Sequence, residues 1–330
     1  MNHEKRIPII LLSGFLGSGK TTLLMNIIER LDTQGVKPAI LLNEIGEINV
    51  EGHAIKSDVP TSEVLGGCIC CSSKGDLTSE LHQMISQYNP DIIIVESTGV
   101  AHPIETIDAI TELSMYKHIQ LSHVVTVVDS KQFVQAFRGR KTTTTRLLKE
   151  QTACASQLIL NKVDRLEAEE VLEAEQFIRE WNPHAQLHIS RHCKISDWSW
   201  LDEALDSDYE YQSHKAPHSC SHHEDKPCTH HSHQHVMSYT HYWNNPIHSK
   251  QFENWLMQLP QNIYRAKGIV RFCDIPSRYL FQFAYRESDF IKIEPQGKVL
   301  DAAVFIGEHF DQAWLIEQLQ RLERLELGEE

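Results

Sequence analysis

Basic residues are in short supply in this chain. Of its 330 residues, 31 are Lys or Arg against 45 Asp or Glu, for a net charge of −14. That excludes nucleic acid as the principal partner, because holding a phosphate backbone takes a basic surface. It does not exclude a small anion, which a nest of backbone N–H groups holds without net positive charge. Long hydrophobic runs are missing too. None approaches the ~20 residues of a membrane span, so no membrane partner is expected. The opening MNHEKRIPIILLSG places basic residues ahead of an apolar stretch. That stretch is short, lacks a small-residue cleavage site and runs into a glycine loop, so it does not read as a leader. The expected location is cytoplasmic. Thiols are then reduced, and clustered cysteines point to metal or catalysis before disulfides.

With 41% hydrophobic and 23% charged residues, the chain has the material for an ordinary core. Its length suits about two domains of ~150 residues each. IPIILL (7–12) is a continuous apolar run, as expected of a buried parallel strand. GFLGSGKT (14–21) follows, then the helical pattern TLLMNIIERL. This is the strand–loop–helix context that G-x-x-x-x-G-K-[ST] requires. Gly14, Gly17 and Gly19 let the backbone wrap phosphates, Lys20 reaches the β- and γ-phosphates, and Thr21 ligates Mg²⁺. The helix N-terminus adds its partial positive charge.

Further apolar runs, PAILLNE (38–44), DIIIVES (91–97), HVVTVVD (123–129) and SQLILNK (156–162), alternate with candidate helices at 75–88, 103–115, 146–155 and 166–181. That alternation predicts an α/β fold, a doubly wound, mostly parallel sheet. Its ligands lie beyond the carboxyl ends of the strands. DIIIVE ends in Glu96, then Ser97-Thr98-Gly99. This is the place where an acid stands near Mg²⁺ or the attacking water; the alternative is an acid that only orders its loop. SQLIL leads into Asn161-Lys162-Val163-Asp164. In N-K-x-D the Asp carboxylate accepts from guanine N1–H and N2–H₂. Adenine would leave it unpaired at a cost of several kcal/mol, so GTP is expected rather than ATP.

In order, GFLGSGKTT (14–22), NEIGE (43–47), GGCICC (66–71), ESTG (96–99) and NKVD (161–164) resemble the CobW-like group of P-loop GTPases, metal-handling relatives of the nickel-insertion GTPases. The resemblance extends over nearly the whole chain. It implies a GTPase domain, a smaller CobW C-terminal domain, low GTPase activity and metal handling. Members include zinc metallochaperones and proteins linked to cobalamin synthesis or nitrile hydratase activation. By this resemblance Gly14, Gly17, Ser18, Gly19, Lys20, Thr21, Thr22, Asn161, Lys162 and Asp164 bind GTP. Lys20, Thr21, Glu96 and Glu47 serve hydrolysis. In some relatives an acid that binds metal precedes the Asn of NEIGE; here that position is Leu42.

Three of the eight cysteines, Cys68, Cys70 and Cys71, fall within four positions. Thiolates favour Zn²⁺, Cu⁺ and similar ions. On a straight strand Cys71 faces away from the other two, so convergence needs a turn, which Gly66-Gly67 make easier. Three sulfurs leave a fourth tetrahedral position for exchange. A structural zinc completed elsewhere is the alternative. Glu47 or Glu44 can sense the γ-phosphate and Mg²⁺ or donate an oxygen to the thiolate-bound ion, and Glu47 is favoured because the family pattern carries it.

Residues 214–235 hold eight histidines, His222 and His230 among them, with Cys220 and Cys228 and almost no large apolar side chain. Such a stretch cannot build a core. Its imidazoles suit Zn²⁺, Ni²⁺ and Co²⁺, for capture and buffering near the GTPase site; a plain solvated linker is the alternative. Cys154, Cys193 and Cys273 read as small core residues. Beyond the tract, runs at 238–243, 263–272, 278–286 and 302–307 with helical patterns at 249–259 and 311–322 predict an antiparallel sheet with helices on one face. Within it, Arg265-Ala266-Lys267-Gly268 can meet nucleotide, the first domain, a client or solvent. The expected division is 1–210, 211–236 and 237–330.

These expectations converge on a GTP-dependent zinc metallochaperone. Its cofactors are GTP, Mg²⁺ and Zn²⁺, its metal ligands are Cys68, Cys70, Cys71, Glu47, Thr21, His222 and His230, and its partner is a client metalloprotein. A homo-oligomer is compatible with them. The rivals are a GTPase that inserts cobalt or nickel, a zinc buffer built on the histidine tract, and a small-molecule kinase.

Overall fold

The computed structural model describes residues 6–42, 59–63, 74–139, 142–206 and 236–324. Each apolar run of the first half forms a strand: β1 (Ile7–Ser13), β2 (Pro38–Leu42), β4 (Ile92–Glu96), β5 (Ile119–Asp129) and β6 (Gln157–Asn161). Two short strands join them, β3 (Thr61–Glu63) and β7 (Gln186–Ile189). The seven lie in the order β3-β2-β4-β1-β5-β6-β7, every pair parallel. β1 is the turning point, since the chain winds first to one side of it and then to the other.

Helices cover both faces, which is why the strands are apolar without alternation. Ile10, Leu12, Ile92, Ile94, Val125 and Val127 pack with Leu23, Leu24 and Ile27 of α1 (Lys20–Thr33) and with Trp200 and Leu201 of α7 (Ser199–Leu205). Ile9, Leu11, Ile93 and Val95 face Leu77 and Leu81 of α2 (Lys74–Tyr88) and Ile107 and Ile110 of α3 (Pro103–Glu112). α4 (Ser130–Arg138), α5 (Thr143–Ala153) and α6 (Ala168–Trp181) complete the layers. α5 starts three residues ahead of its expected start because Thr142 and Thr145 form a capping box.

The second sheet runs β11-β10-β9-β12-β8, all antiparallel. Its strands are β8 (Val236–Tyr242), β9 (Ile263–Arg271), β10 (Arg278–Ala284), β11 (Glu287–Ile293) and β12 (Ala302–Glu308). α8 (Ser249–Met257) and α9 (Gln312–Arg324) cover one face, closing Phe252, Leu256, Leu315 and Leu319 over Phe281, Phe283 and Phe305.

The other face of this sheet meets the first domain. Val304 and Ile306 of β12 share one core with Ile107, Ile110, Leu113 and Val124. The Tyr242 hydroxyl accepts from Ile119 N–H at 3.1 Å and lies 3.0 Å from the Lys117 carbonyl. The Arg265–Gly268 segment is neither a solvated strand end nor free of the first domain. Lys267 Nζ lies 2.9 Å from Asp108 Oδ1, and Arg265 Nη2 lies 3.1 Å from Asp108 Oδ2. Among the isolated cysteines, Cys154 and Cys193 are buried as expected, but Cys273 is exposed. It follows β9, in the loop that leads to β10, outside the apolar layers.

Candidate functional site

The polar residues that end the central strands gather along one edge of the parallel sheet. β1 gives way to the glycine loop after Ser13, β4 ends at Glu96, β5 at Asp129 and β6 at Asn161, with Leu12 in register with Glu96 and Asp129 with Asn161. The loop doubles back on itself through left-handed backbone at Gly14, Gly17 and Gly19. At Gly14 a Cβ would stand 2.2 Å from the Val127 carbonyl oxygen, and at Gly19 2.6 Å from Asn161 Nδ2. Conformation and space therefore both demand glycine there. Ser18 is fully buried, and Thr22 is exposed one residue beyond Thr21.

Lys20 opens α1 and is 9% exposed. Its ammonium folds back to donate to the Gly14 carbonyl at 3.0 Å. Thr21 Oγ1 donates to Glu96 Oε1 at 3.1 Å. This hydroxyl–carboxylate pair, both hard oxygen donors at the start of a helix beside the glycine loop, fits Mg²⁺.

The other wall is built on Asn161. Its Nδ2 donates to the Ser18 carbonyl at 2.9 Å, and its Oδ1 accepts from Cys193 N–H at 3.0 Å and Ser190 Oγ at 3.3 Å. One buried amide thus ties the phosphate loop to the loop after β7. Lys162, at φ +62, donates to the Gly17 carbonyl and pairs with Asp129 Oδ2 at 2.9 Å. Asp164 is exposed on the 3₁₀ turn Val163–Arg165.

Asp129, Gly99, Ser190 and Cys193 were not anticipated as parts of this site. Asp129 is legible as the polar end of HVVTVVD. Gly99 belongs to ESTG, yet its packing is not: a Cβ there would fall 2.6 Å from the Leu16 backbone nitrogen. Cys193 follows a strand of four residues with little pattern. It takes a left-handed conformation at φ +54, beside His192 at +53. Its thiol donates to the Gly19 carbonyl at 3.3 Å, and burial pushes its pKa up to about 12, so it stays a thiol.

The expected sulfur ligands Cys68, Cys70 and Cys71, both glutamates of NEIGE (Glu44 and Glu47), and His222 and His230 lie outside the described residues. Among the described residues no group of three or more His, Cys, Asp or Glu side chains is placed to hold a metal ion. No described helix is long and apolar enough to cross a membrane.

Residues 8–188 match the family model of the CobW/HypB/UreG nucleotide-binding domain. The chain belongs to this family. Residues 236–323 match a second model, the cobalamin synthesis protein cobW C-terminal domain. The CobW/HypB/UreG match takes in the glycine loop, Glu96 and Asn161–Asp164, and it spans the Cys68–Cys71 stretch. Among curated relatives, the zinc-regulated GTPase metalloprotein activator 1 of Dictyostelium discoideum is 28% identical over 217 residues, 56% of this chain and 45% of its own length. The zinc chaperone YeiR of Escherichia coli is 30% identical over 190 residues, 56% of this chain and 55% of its own. The chain therefore spans about half the length of the curated relatives it matches. The crystal structure of Zn(II)-bound YjiA GTPase from E. coli aligns over 97% of this chain and 99% of its own, at 22% identity and a TM-score of 0.47.

Proposed function

We propose that this chain is a cytoplasmic GTP-hydrolysing metallochaperone that carries Zn²⁺ on Cys68, Cys70 and Cys71 and delivers it to a client metalloprotein under nucleotide control. The observation that carries the reading is a register. Leu42 on β2 pairs with Glu63 on one side and with Glu96 on the other. Glu63 is therefore two strand spacings, about 10 Å, from Glu96. β3 ends at Glu63 and α2 begins at Lys74, and Cys68–Cys71 fall between the two in the sequence. On this reading a sulfur-bound ion and a triphosphate share one neighbourhood. The names of the relatives, zinc chaperones and a zinc-regulated GTPase, support the same cargo.

Lys20, released from the Gly14 carbonyl, holds the β- and γ-phosphates among the backbone N–H groups of the loop. Thr21 and Glu96 hold Mg²⁺, which when bound neutralises charge on the phosphate oxygens. Glu96, with Glu47, positions the attacking water or relays whether the γ-phosphate is present. Asp164 takes the guanine N1–H and N2–H₂, while Asn161 and Lys162 set the wall it stands on. His222, His230 and the histidines around them capture and buffer the incoming ion.

The test is a titration of GTP with and without Zn²⁺, repeated on Cys70→Ala. Zn²⁺ is expected to shift GTP affinity in the parent protein, and linkage requires GTP to shift Zn²⁺ affinity by the same factor. The effect should vanish in Cys70→Ala. Identical GTP affinity in all three cases overturns the proposal. Tighter retention of Co²⁺ or Ni²⁺ than Zn²⁺, judged against the ordinary affinity order of these metals, would transfer the cargo assignment to them.

A further inference from the structure

We infer that Lys267, in the C-terminal domain, is a positioning residue for the GTPase site: it fixes α3, and through α3 the Glu96–Gly99 loop that closes on the phosphate-binding loop. The inference rests on the GTPase reading above and adds a residue to it from the other domain.

The chain of contacts is short at every step. Glu96 accepts from Thr21 at 3.1 Å. Ser97 N–H then donates to the Leu12 carbonyl at 2.9 Å, and Gly99 sits so close to Leu16 that no side chain fits between them. Gln151 donates to the carbonyls of Gly99 at 3.2 Å and Ala101 at 3.3 Å, which leaves the segment little slack. α3 starts at Pro103 and carries Asp108 in its middle. Lys267 Nζ reaches three oxygens of this helix: Asp108 Oδ1 at 2.9 Å, the Asp108 carbonyl at 2.6 Å and Glu112 Oε2 at 3.6 Å. Contacts to two successive turns fix both the rotation and the axial position of α3.

Docking the domains does not call for this cation. Val304, Ile306 and Tyr242 join them without it, and the Lys267 and Asp108 side chains are only 7% and 6% exposed. A buried ion pair adds little net stability over apolar packing. What it adds is direction. Arg265 approaches the same carboxylate at 3.1 Å from a more open position.

The experiment measures steady-state GTP turnover and nucleotide binding for Lys267→Met, Lys267→Arg and Arg265→Gln in the full chain with Mg²⁺. Misplacing the loop lowers kcat by roughly tenfold or more in Lys267→Met. KM and GDP affinity stay within about twofold, because Lys20, the loop N–H groups and Asp164, which carry the nucleotide in this reading, keep their places. Lys267→Arg recovers most of the rate. Arg265→Gln gives a smaller loss of kcat, also at constant KM, and supplies the reading if Lys267→Met does not fold. Hydrogen exchange follows the amides of 103–112: a non-hydrolysable GTP analogue slows it in the parent protein and not in Lys267→Met. Parent-like kcat in the folded variants, together with parent-like nucleotide protection of α3, overturns the inference. Absence of turnover in the parent protein would instead count against the GTPase reading, and the exchange measurement would still decide the role of Lys267.

Discussion

Asn161 Nδ2 donates to the Ser18 carbonyl across 2.9 Å, and this hydrogen bond welds the base side of the pocket to its phosphate side. The Oδ1 of the same Asn161 side chain accepts the Cys193 N–H, so three loops meet on one buried side chain. Asn161→Ala leaves a buried carbonyl and a buried N–H without their partner. Such orphaned groups cost about 1–3 kcal/mol. The variant is expected to melt earlier and to bind GTP about tenfold more weakly or worse, since 1.4 kcal/mol is a factor of ten. Thermal unfolding and fluorescent-GDP binding check both. Unchanged affinity would show that the weld is not part of the nucleotide site.

Gly99 is held against the phosphate loop where a Cβ would meet the Leu16 nitrogen at 2.6 Å and two Leu16 side-chain carbons at 2.7 and 2.8 Å. Gly99→Ala must push the two loops apart, at about 1–3 kcal/mol. Turnover should fall by more than tenfold as the loop moves off its geometry. Gly297→Ala is the control, because its Cβ meets nothing within 4 Å; stability should stay within about 0.5 kcal/mol. Equal behaviour of the two variants would refute the crowding argument.

The parallel sheet was legible because both its faces are covered: five of its seven strands carry apolar runs, and β1, β4, β5 and β6 each end in a polar residue beside the site. β11 was not, since an edge strand with every second residue in solvent, Glu287, Asp289 and Ile291 among them, carries too weak a pattern. The N-K-x-D motif announced Asn161, but not that its amide would be spent on Ser18 and Cys193. Those contacts join residues more than 140 and about 30 positions away, and no local spacing encodes them. Lys267 shows the same gap from the other side. A cation in a strand reads as exposed until the fold supplies a buried Asp108 opposite it.

The three cysteines among the described residues, Cys154, Cys193 and Cys273, should separate by reactivity. Burial raises the thiols of Cys154 and Cys193 to about 12, so neither supplies a thiolate near neutral pH. Cys273 is exposed. Iodoacetamide on the native protein, read by peptide mass spectrometry, should label Cys273 long before the other two. Full labelling of Cys193 at the same rate would mean that the wall beside Gly19 opens freely.

Acid stability should be lost in two stages. Burial holds the His188 imidazole, which faces Gln157 at 2.9 Å, below its ordinary value of 6.5. The unfolded chain therefore takes up a proton that the fold refuses, and stability falls as pH drops below about 6.5. Burial pushes the Glu323 carboxyl up, but His241 and the N–H groups of Asn244 and Asn245 outweigh it and hold it below 4.5. Its contribution is complete above that value and disappears as pH falls through the lower folded one. Urea midpoints measured from about pH 8 to 4 should thus decline first in the histidine range and again in the carboxylate range. His188→Gln, which keeps a polar group opposite Gln157, should flatten the first decline, and Glu323→Gln the second. If each variant keeps the parent's slope throughout, the two stages belong to other groups, and neither side chain sets the acid limit of the fold.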